Sequence, residues 1–471
     1  MANSWVRSTV EVPLHLVASS FRYLKRYRYI RLRKTCTMIV FSPIVSNRLT
    51  YIVEFTLGEL TRQPVMLTSD VTAFIAYDGP AINYSPAKLR DLELRITPHT
   101  LLFESGIHHQ ETEISHWHEQ PVFFQGDGDV PFDVFAACFY LLSRYEEYLP
   151  HKKDLYGRYP HTESLAFKNG FLDKPLINYW LKDLASLLKE RFTDIIPKEQ
   201  VFAFLPTYDI DEAFSFRYKG CFRNTAGFLR ELFTGNFGRS GQRLQVLTGS
   251  KPDPYDSFEH LNQLHERYHL KPLYFFLLAS RIGQYDKNTD PAGKAMQALL
   301  RTHAAKYRTG IHPSWQSGDD RSLLKEEIDL LQEVTGKPVT VSRQHFLRFT
   351  LPGGYRRLLE AGILEDHSMG YGMVNGFRAS VAMPFYWYDL ENETTTDLRL
   401  FPFCYMDANS FYELKHSPAE ALEEMRHYYS TVKNVNGLLI TLWHNTFLGS
   451  DPRFKGWREV YEDFLKLVTN R

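Results

Sequence analysis

From about residue 200 onward, short apolar runs of strand length alternate with amphipathic runs of helix length, and this alternation is the strongest constraint on the fold. VFAFLPTYD (201–209) reads as a strand, SFEHLNQLHERYHL (257–270) as a helix and KPLYFFLLA (271–279) as a strand. SLLKEEIDLLQEV (322–334) is a helix stopped by Gly336 and followed by the strand KPVTVSRQH (337–345). PGGYRRLLEA (352–361) is stopped by Gly362 and runs into ILEDHS (363–368). Ser417, Pro418, Ala419 and Glu420 spell a capping box with proline at the first helical position. That helix reaches Val435, the strand GLLITLW (437–443) follows, and the amphipathic helix GWREVYEDFLKLV (456–468) closes the chain. Apolar strands joined by helices need both sheet faces covered, which argues a parallel α/β sheet or barrel over residues 198–471.

Residues 38–197 read as a separate N-terminal α/β unit. The strand-like runs IVFSPI, YIVEFTL, VTAFIAYDG, TLLFES and PVFFQG come first, and the helices PFDVFAACFYLLSRYEEYL and LINYWLKDLASLLKERF follow. TDIIPKEQ (193–200) is the linker between the two units. Residues 1–37 carry a basic cluster from Arg22 to Lys34 behind an apolar run, the reverse of a secretory signal. They read as a basic extension ahead of Met38, which opens the first strand and is an alternative start, or as a basic arm for a membrane surface.

The chain has 55 Lys and Arg against 55 Asp and Glu, so its overall charge offers nothing to nucleic acid or to an acidic membrane. No apolar run is long enough for a transmembrane helix. Four cysteines without CxxC spacing suggest neither a disulfide framework nor a thiolate zinc site, and they fit a cytoplasmic location.

Chemistry in parallel α/β folds collects where strands end. Here VFAFLPTY ends in Asp209 and Asp211, RTGI in His312, KPVTVS in Arg343 and His345, ILE in Asp366, and GLLITLW in His444. Asp209 and Asp211 lie two apart, on one face of an extended chain, where like charges need a cation or a donor between them. Carboxylates and several histidines on one rim point to a divalent metal and to acid/base chemistry. The plainer reading makes the two aspartates turn caps, the histidines packed residues and Arg343 half of an ion pair.

PTYDID, GIHPSW, SRQHFLRF, EDHSMGYGMVNGFRA and ITLWHNT, in this order, resemble the polysaccharide deacetylase superfamily of NodB-type carbohydrate esterases. With the FDVFAACFYLLSRYEEYL half in front, the chain looks like the two-domain members that carry an N-terminal α/β accessory domain. The resemblance implies a distorted seven-stranded (β/α) barrel at 198–471 and removal of acetyl groups from an acetylated sugar or polysaccharide with a divalent metal, zinc by the family's usual choice. It further implies Asp209 as catalytic base, Arg343 as its orienting partner and His444 as general acid. Asp211 and His312 match metal ligands, and Trp315, Asp366, Arg378 and Leu442 stand as candidate substrate contacts. Gln316 occupies the position of the family's second metal-binding histidine, so the third ligand falls to His345 or Asp366, with His345 favoured. The same substitution keeps open a non-catalytic carbohydrate-binding or assembly protein on this fold.

Two other patterns compete. His265-Glu266-Arg267-Tyr268-His269 spells HExxH, the zinc protease signature, on a predicted helix. Phe258, Leu261, Leu264 and Tyr268 give that helix an ordinary apolar face, which leaves its histidines and Glu266 toward solvent, and no further ligand motif follows. His108, His109, His116 and His118 form a histidine-rich tract that reads as polar surface.

Overall fold

The computed structural model describes residues 37–470; the basic extension read at 1–37 lies outside them except for Thr37. Four strands, β1 (Met38–Phe41), β2 (Val65–Thr68), β3 (Ala81–Asn83) and β4 (Leu94–Arg95), form a parallel sheet in the order β2-β1-β3-β4. A short antiparallel hairpin, β5 (Ser115–Trp117) and β6 (Gln120–Val122), follows. The helices Val134–Leu142 and Leu176–Arg191 are present as the apolar spacing predicts, and Trp180 of the second stacks edge-on against Phe123.

Several expectations for this half fail for local reasons. YIVEFTL lies inside the helix Asn47–Leu60, which Ser46 opens by accepting a hydrogen bond from Leu49 N. Its buried residues Leu49, Ile52, Val53, Thr56 and Leu57 follow helical spacing, which a short apolar run cannot distinguish from a strand. VTAFIAYDG begins as the short helix Val71–Ile75 under an Asp70 cap, and TLLFES holds the 3₁₀ turn Thr100–Leu102. The first long helix stops at Leu142 instead of running on through SRYEEYL. Arg144 there adopts a left-handed φ of 54°, and its guanidinium turns back onto Glu146 and Glu147 at 2.7 and 2.8 Å.

The second sheet holds β7 (Ala203–Ile210), β8 (Leu273–Leu277), β9 (Arg308–His312), β10 (Val341–Ser342), β11 (Glu365–Asp366), β12 (Phe385–Asp389), β13 (Thr394–Leu400), β14 (Tyr405–Met406) and β15 (Leu438–His444). Their order is β12-β13-β11-β10-β9-β8-β7-β15-β14. All neighbours are parallel except the edge pair β12–β13. The parallel α/β sheet matches the sequence pattern, but the strand count is nine where seven were expected. Among the described residues the end strands β12 and β14 are not paired, so hydrogen bonding does not close the sheet into a barrel. The capping box at Ser417 and Glu420 forms as read.

The two sheets share one continuous hydrophobic core, in which Phe135, Phe139 and Trp180 belong to the same cluster as Tyr208, Tyr274 and Trp443. Polar ties cross between the halves. Arg378 holds Glu147 through two bonds of 2.6 and 2.9 Å, and Arg48 Nε reaches Glu393 at 2.9 Å.

Candidate metal centre and its cleft

The carboxyl ends of β7, β9, β14 and β15, with the turn after β10, surround a cleft of about 560 Å³. Asp209, near the end of β7, is paired in register with His444 on β15. Asp209 is buried, and its Oδ1 accepts a hydrogen bond from Arg343 Nη1 at 2.8 Å. Arg343 is fully buried, donates through Nε to the His367 carbonyl at 3.0 Å and lies over the Phe275 ring at 4.4 Å. Burial lowers its pKa, with Asp209 opposing that shift. An arginine this enclosed keeps its planar fork fixed, so the carboxylate it holds is fixed as well.

Asp211, His312 and His345 offer ligand atoms that all lie within 4.8 Å of one another. His312 Nδ1 lies 2.6 Å from the Arg343 carbonyl, which places a proton on that nitrogen and turns Nε2 toward the cleft. Nε2 faces Asp211 Oδ1 at 3.2 Å. His345 repeats the arrangement: Nδ1 donates to Asp286 Oδ1 at 2.9 Å and Nε2 faces Asp211 Oδ2 at 3.6 Å. This is the carboxylate- or carbonyl-anchored histidine of metal sites, in which the anchored nitrogen sets the tautomer and orientation of the other.

Charge and satisfaction agree with that reading. Asp211 Oδ1 is buried without a hydrogen-bond partner. Two acceptors facing each other repel unless a proton or a cation lies between them. Burial would raise the Asp211 pKa, yet His345 and His312 carry it well below the usual carboxylate range. Burial would lower the His345 pKa, but Asp211 and Asp286 lift it to about 9. The pocket thus holds a positive charge in front of an anion. A divalent cation fits the same donor set of one carboxylate and two imidazoles, as zinc sites with an open position do.

Across the cleft His444, at the end of β15, donates Nδ1–H to Asp407 Oδ1 at 2.6 Å, and its backbone N donates to Asp407 Oδ2 at 2.7 Å. Its Nε2 lies 3.7 Å from Asp211 Oδ2. Burial opposes charging of His444, but Asp407 and Asp211 raise its pKa to about 10.

The structure therefore gathers Asp209, Asp211, His312, Arg343, His345 and His444 at one site, with Leu442 in the cleft wall beside Met406. Three expected substrate contacts lie elsewhere. Asp366 is fully buried and accepts from Ser342 Oγ at 2.8 Å and from Ser368 N at 2.9 Å, so it fastens two strand ends together. Arg378 is buried against Glu147 and the Gly370 carbonyl. Trp315 stacks on Tyr285 with ring centroids 4.1 Å apart and stands behind the cleft-lining Tyr156 and Phe346. Gln316 turns away, its Nε2 reaching toward the Arg281 carbonyl at 3.4 Å.

HExxH does not assemble a site. His265 is buried, contrary to the solvated placement expected, and its Nε2 lies 2.8 Å from Tyr208 Oη. His269 ends the helix in a left-handed conformation, and Glu266 pairs with Lys306 at 2.7 Å. His108, His109, His116 and His118 are exposed, as expected.

Sequence reasoning missed four residues. Asp407 follows β14, a strand of two residues with no readable periodicity. Asp286 comes from an irregular loop. Tyr156 and Arg158 come from the N-terminal half and line the cleft. Arg158 Nη1 donates to the Phe346 carbonyl at 2.8 Å, beside His345, and a side chain at Gly372 would collide with that guanidinium at 1.9 Å.

Comparisons with known proteins give a family match for the N-terminal unit only. The matching profile, DUF7033, is a family of unknown function and covers residues 38–193. No curated protein matches the chain. Among solved structures, a protein assigned as a polysaccharide deacetylase from Mycobacterium smegmatis is 15% identical, with a TM-score of 0.37, over 58% of this chain and 85% of that one. The allantoinase Puue is 13% identical, with a TM-score of 0.36, over 57% of this chain and 84% of that one. A polysaccharide deacetylase from Bacillus cereus is 12% identical, with a TM-score of 0.29, over 57% and 88% of the respective chains. All three overlaps are weak, and the chemistry is read from the residues of the cleft.

Proposed function

We propose that this protein is a metal-dependent hydrolase that removes acetyl groups from an acetylated sugar or polysaccharide, with the chemistry at 198–471 and the accessory unit at 38–197. The observation that carries the reading is the grouping of Asp211, His312 and His345 between an arginine-held aspartate and an aspartate-held histidine. The sugar as substrate rests on the sequence motifs.

Asp211, His312 and His345 are the residues to hold the metal. When bound, a divalent ion supplies Lewis-acid polarisation of the acyl carbonyl and a more acidic water. Asp209, oriented by Arg343 at 2.8 Å, takes the proton of the attacking water as its oxygen joins the carbonyl carbon. His444, charged and aimed by Asp407 at 2.6 Å, gives its proton to the leaving nitrogen or oxygen as the carbon–heteroatom bond breaks. Acetate and a free amine or hydroxyl leave, and proton exchange with solvent restores both groups. Leu442, in an apolar cluster with Leu347, Phe403, Met406 and Ile440, gives the acetyl methyl a dry wall.

The test is acetate release from acetylated oligosaccharides by metal-loaded protein, compared with Asp209→Asn. The expected loss is about 10²- to 10⁴-fold in kcat with metal retained. Sugar binding without acetate release by the wild type would contradict hydrolysis and favour a binding protein.

A further inference from the structure

Directly after the Asp209–Asp211 strand end, the chain leaves the sheet as two helices, Gly220–Phe233 and Phe237–Leu247, joined by Thr234, Gly235 and Asn236. Their amphipathicity is reversed. Apart from Val246, the side chains buried on the inner face are polar: Arg243 is buried, with bonds of 3.0 and 2.6 Å to Glu231 and 2.8 Å to Asn224. Gly227 lets the two helices close on this network, since a Cβ there would meet Arg243 Nη2 at 2.6 Å. The outer face is apolar. Phe222, Phe233 and Phe237 are 86%, 88% and 67% exposed, and Leu229, Leu244 and Leu247 are exposed beside them. Phe222, Leu229 and Phe233 follow helical spacing, so they form one stripe.

A water-facing helix surface carries its polar side outward. Here that order is inverted on two successive helices, so the outer face is built to be covered. Its charge identifies the cover. Residues 217–251 contain seven Lys and Arg and one acid, Glu231, in a chain whose charges balance overall. Glu231 faces inward, and among the described residues Arg223, Arg230 and Lys251 take part in no ion pair.

We infer that this helical hairpin is a docking surface for the face of a lipid bilayer that carries anionic headgroups. Aromatic side chains entering the acyl boundary, with arginine and lysine at the headgroup level, make up the chemistry of an interfacial helix. A second copy of this chain satisfies only half of the surface. It would bury the phenylalanines but bring Arg223, Arg230 and Lys251 of one copy against those of the other. The hairpin is tied to the cleft wall, because Lys219 pairs with Glu212 and Arg239 reaches Asp451 at 3.5 Å. Docking through it sets the cleft beside the bilayer.

The test is sedimentation of full-length protein with vesicles of phosphatidylcholine alone and of phosphatidylcholine mixed with phosphatidylglycerol, at low and raised salt. The wild type is expected to pellet with the mixed vesicles, and less so as salt rises. The combined variant Phe222→Ser, Phe233→Ser, Phe237→Ser is expected to stay in the supernatant, with an unchanged melting temperature because these side chains are exposed. Charge reversal by Arg223→Glu and Arg230→Glu is expected to lower the partition by on the order of tenfold or more. Three results would overturn the inference. One is a wild type that ignores anionic vesicles. Another is vesicle binding that survives both variants, which would assign it elsewhere in the chain. The third is a wild-type dimer that the phenylalanine variant dissolves, which would make a second copy the occupant.

Discussion

At the scale of the residue, three of the cleft's functional side chains are each set by a second group behind them. Arg343 holds Asp209, Asp286 holds His345, and Asp407 holds His444. His444 gives this a pH signature in metal-free protein. Its folded pKa of about 10 lies above the ordinary imidazole value of 6.5, so the Asp407 pairing contributes stability that is fully present below pH 6.5 and lost as pH rises through 10. The melting-temperature gap between metal-free wild type and His444→Gln is therefore expected to be widest near pH 6 and to shrink toward pH 10. A gap that stays constant would mean His444 is not charged by Asp407. The first-line residues were legible in the sequence because strand ends are where an α/β chain exposes polar groups. Their supports were not, since Asp286 and Asp407 sit on a loop and behind a two-residue strand. Asp366 and Arg378 misled for the opposite reason. Position after a strand or glycine cannot tell a group aimed into a cleft from one that locks two segments together.

At the scale of the element, the turn that carries His345 depends on a side chain from the other half. Phe346 and Leu347 both take left-handed φ values, 58° and 52°, which non-glycine residues keep only when their surroundings enforce them. Arg158 ties this turn to the other half, donating to the Phe346 carbonyl while Asp154 holds its Nε at 2.7 Å. Arg158→Ala is expected to weaken metal binding by about 10- to 100-fold, the range for groups that orient ligands, as read by competition with a chromophoric chelator. Unchanged affinity would separate the N-terminal half from the site. The long βα units were readable because their periodicities last for several turns. The failures were YIVEFTL, too short to separate helix from strand, and the unassigned segment that forms β12 to β14. The hairpin at 220–247 was missed for another reason: its apolar residues are periodic, but periodicity alone does not say which face points inward.

At the scale of the whole molecule, the shared core and the Glu147–Arg378 pair join the two halves. Burial raises the Glu147 pKa, but Arg378 and Arg144 outweigh it and bring it to about 2. Because that value is depressed, its contribution is present above the ordinary glutamate value of 4.5 and is lost as pH falls through 2. Glu147→Gln leaves two buried guanidinium groups short of an anion. It is expected to cost about 3 kcal/mol of unfolding free energy at neutral pH, measured by urea denaturation. A change near zero would show that the pair is dispensable. Net charge misled at this scale: equal totals of acidic and basic residues conceal a strongly basic, apolar-faced hairpin. Metal content per chain decides whether the ends of β7 and β9 and the turn after β10 hold an ion. About one divalent ion per wild-type chain is expected, lost in Asp211→Ala and retained in His269→Ala. A metal that survives Asp211→Ala, or a wild type that takes up none after reloading, would contradict a metal site there.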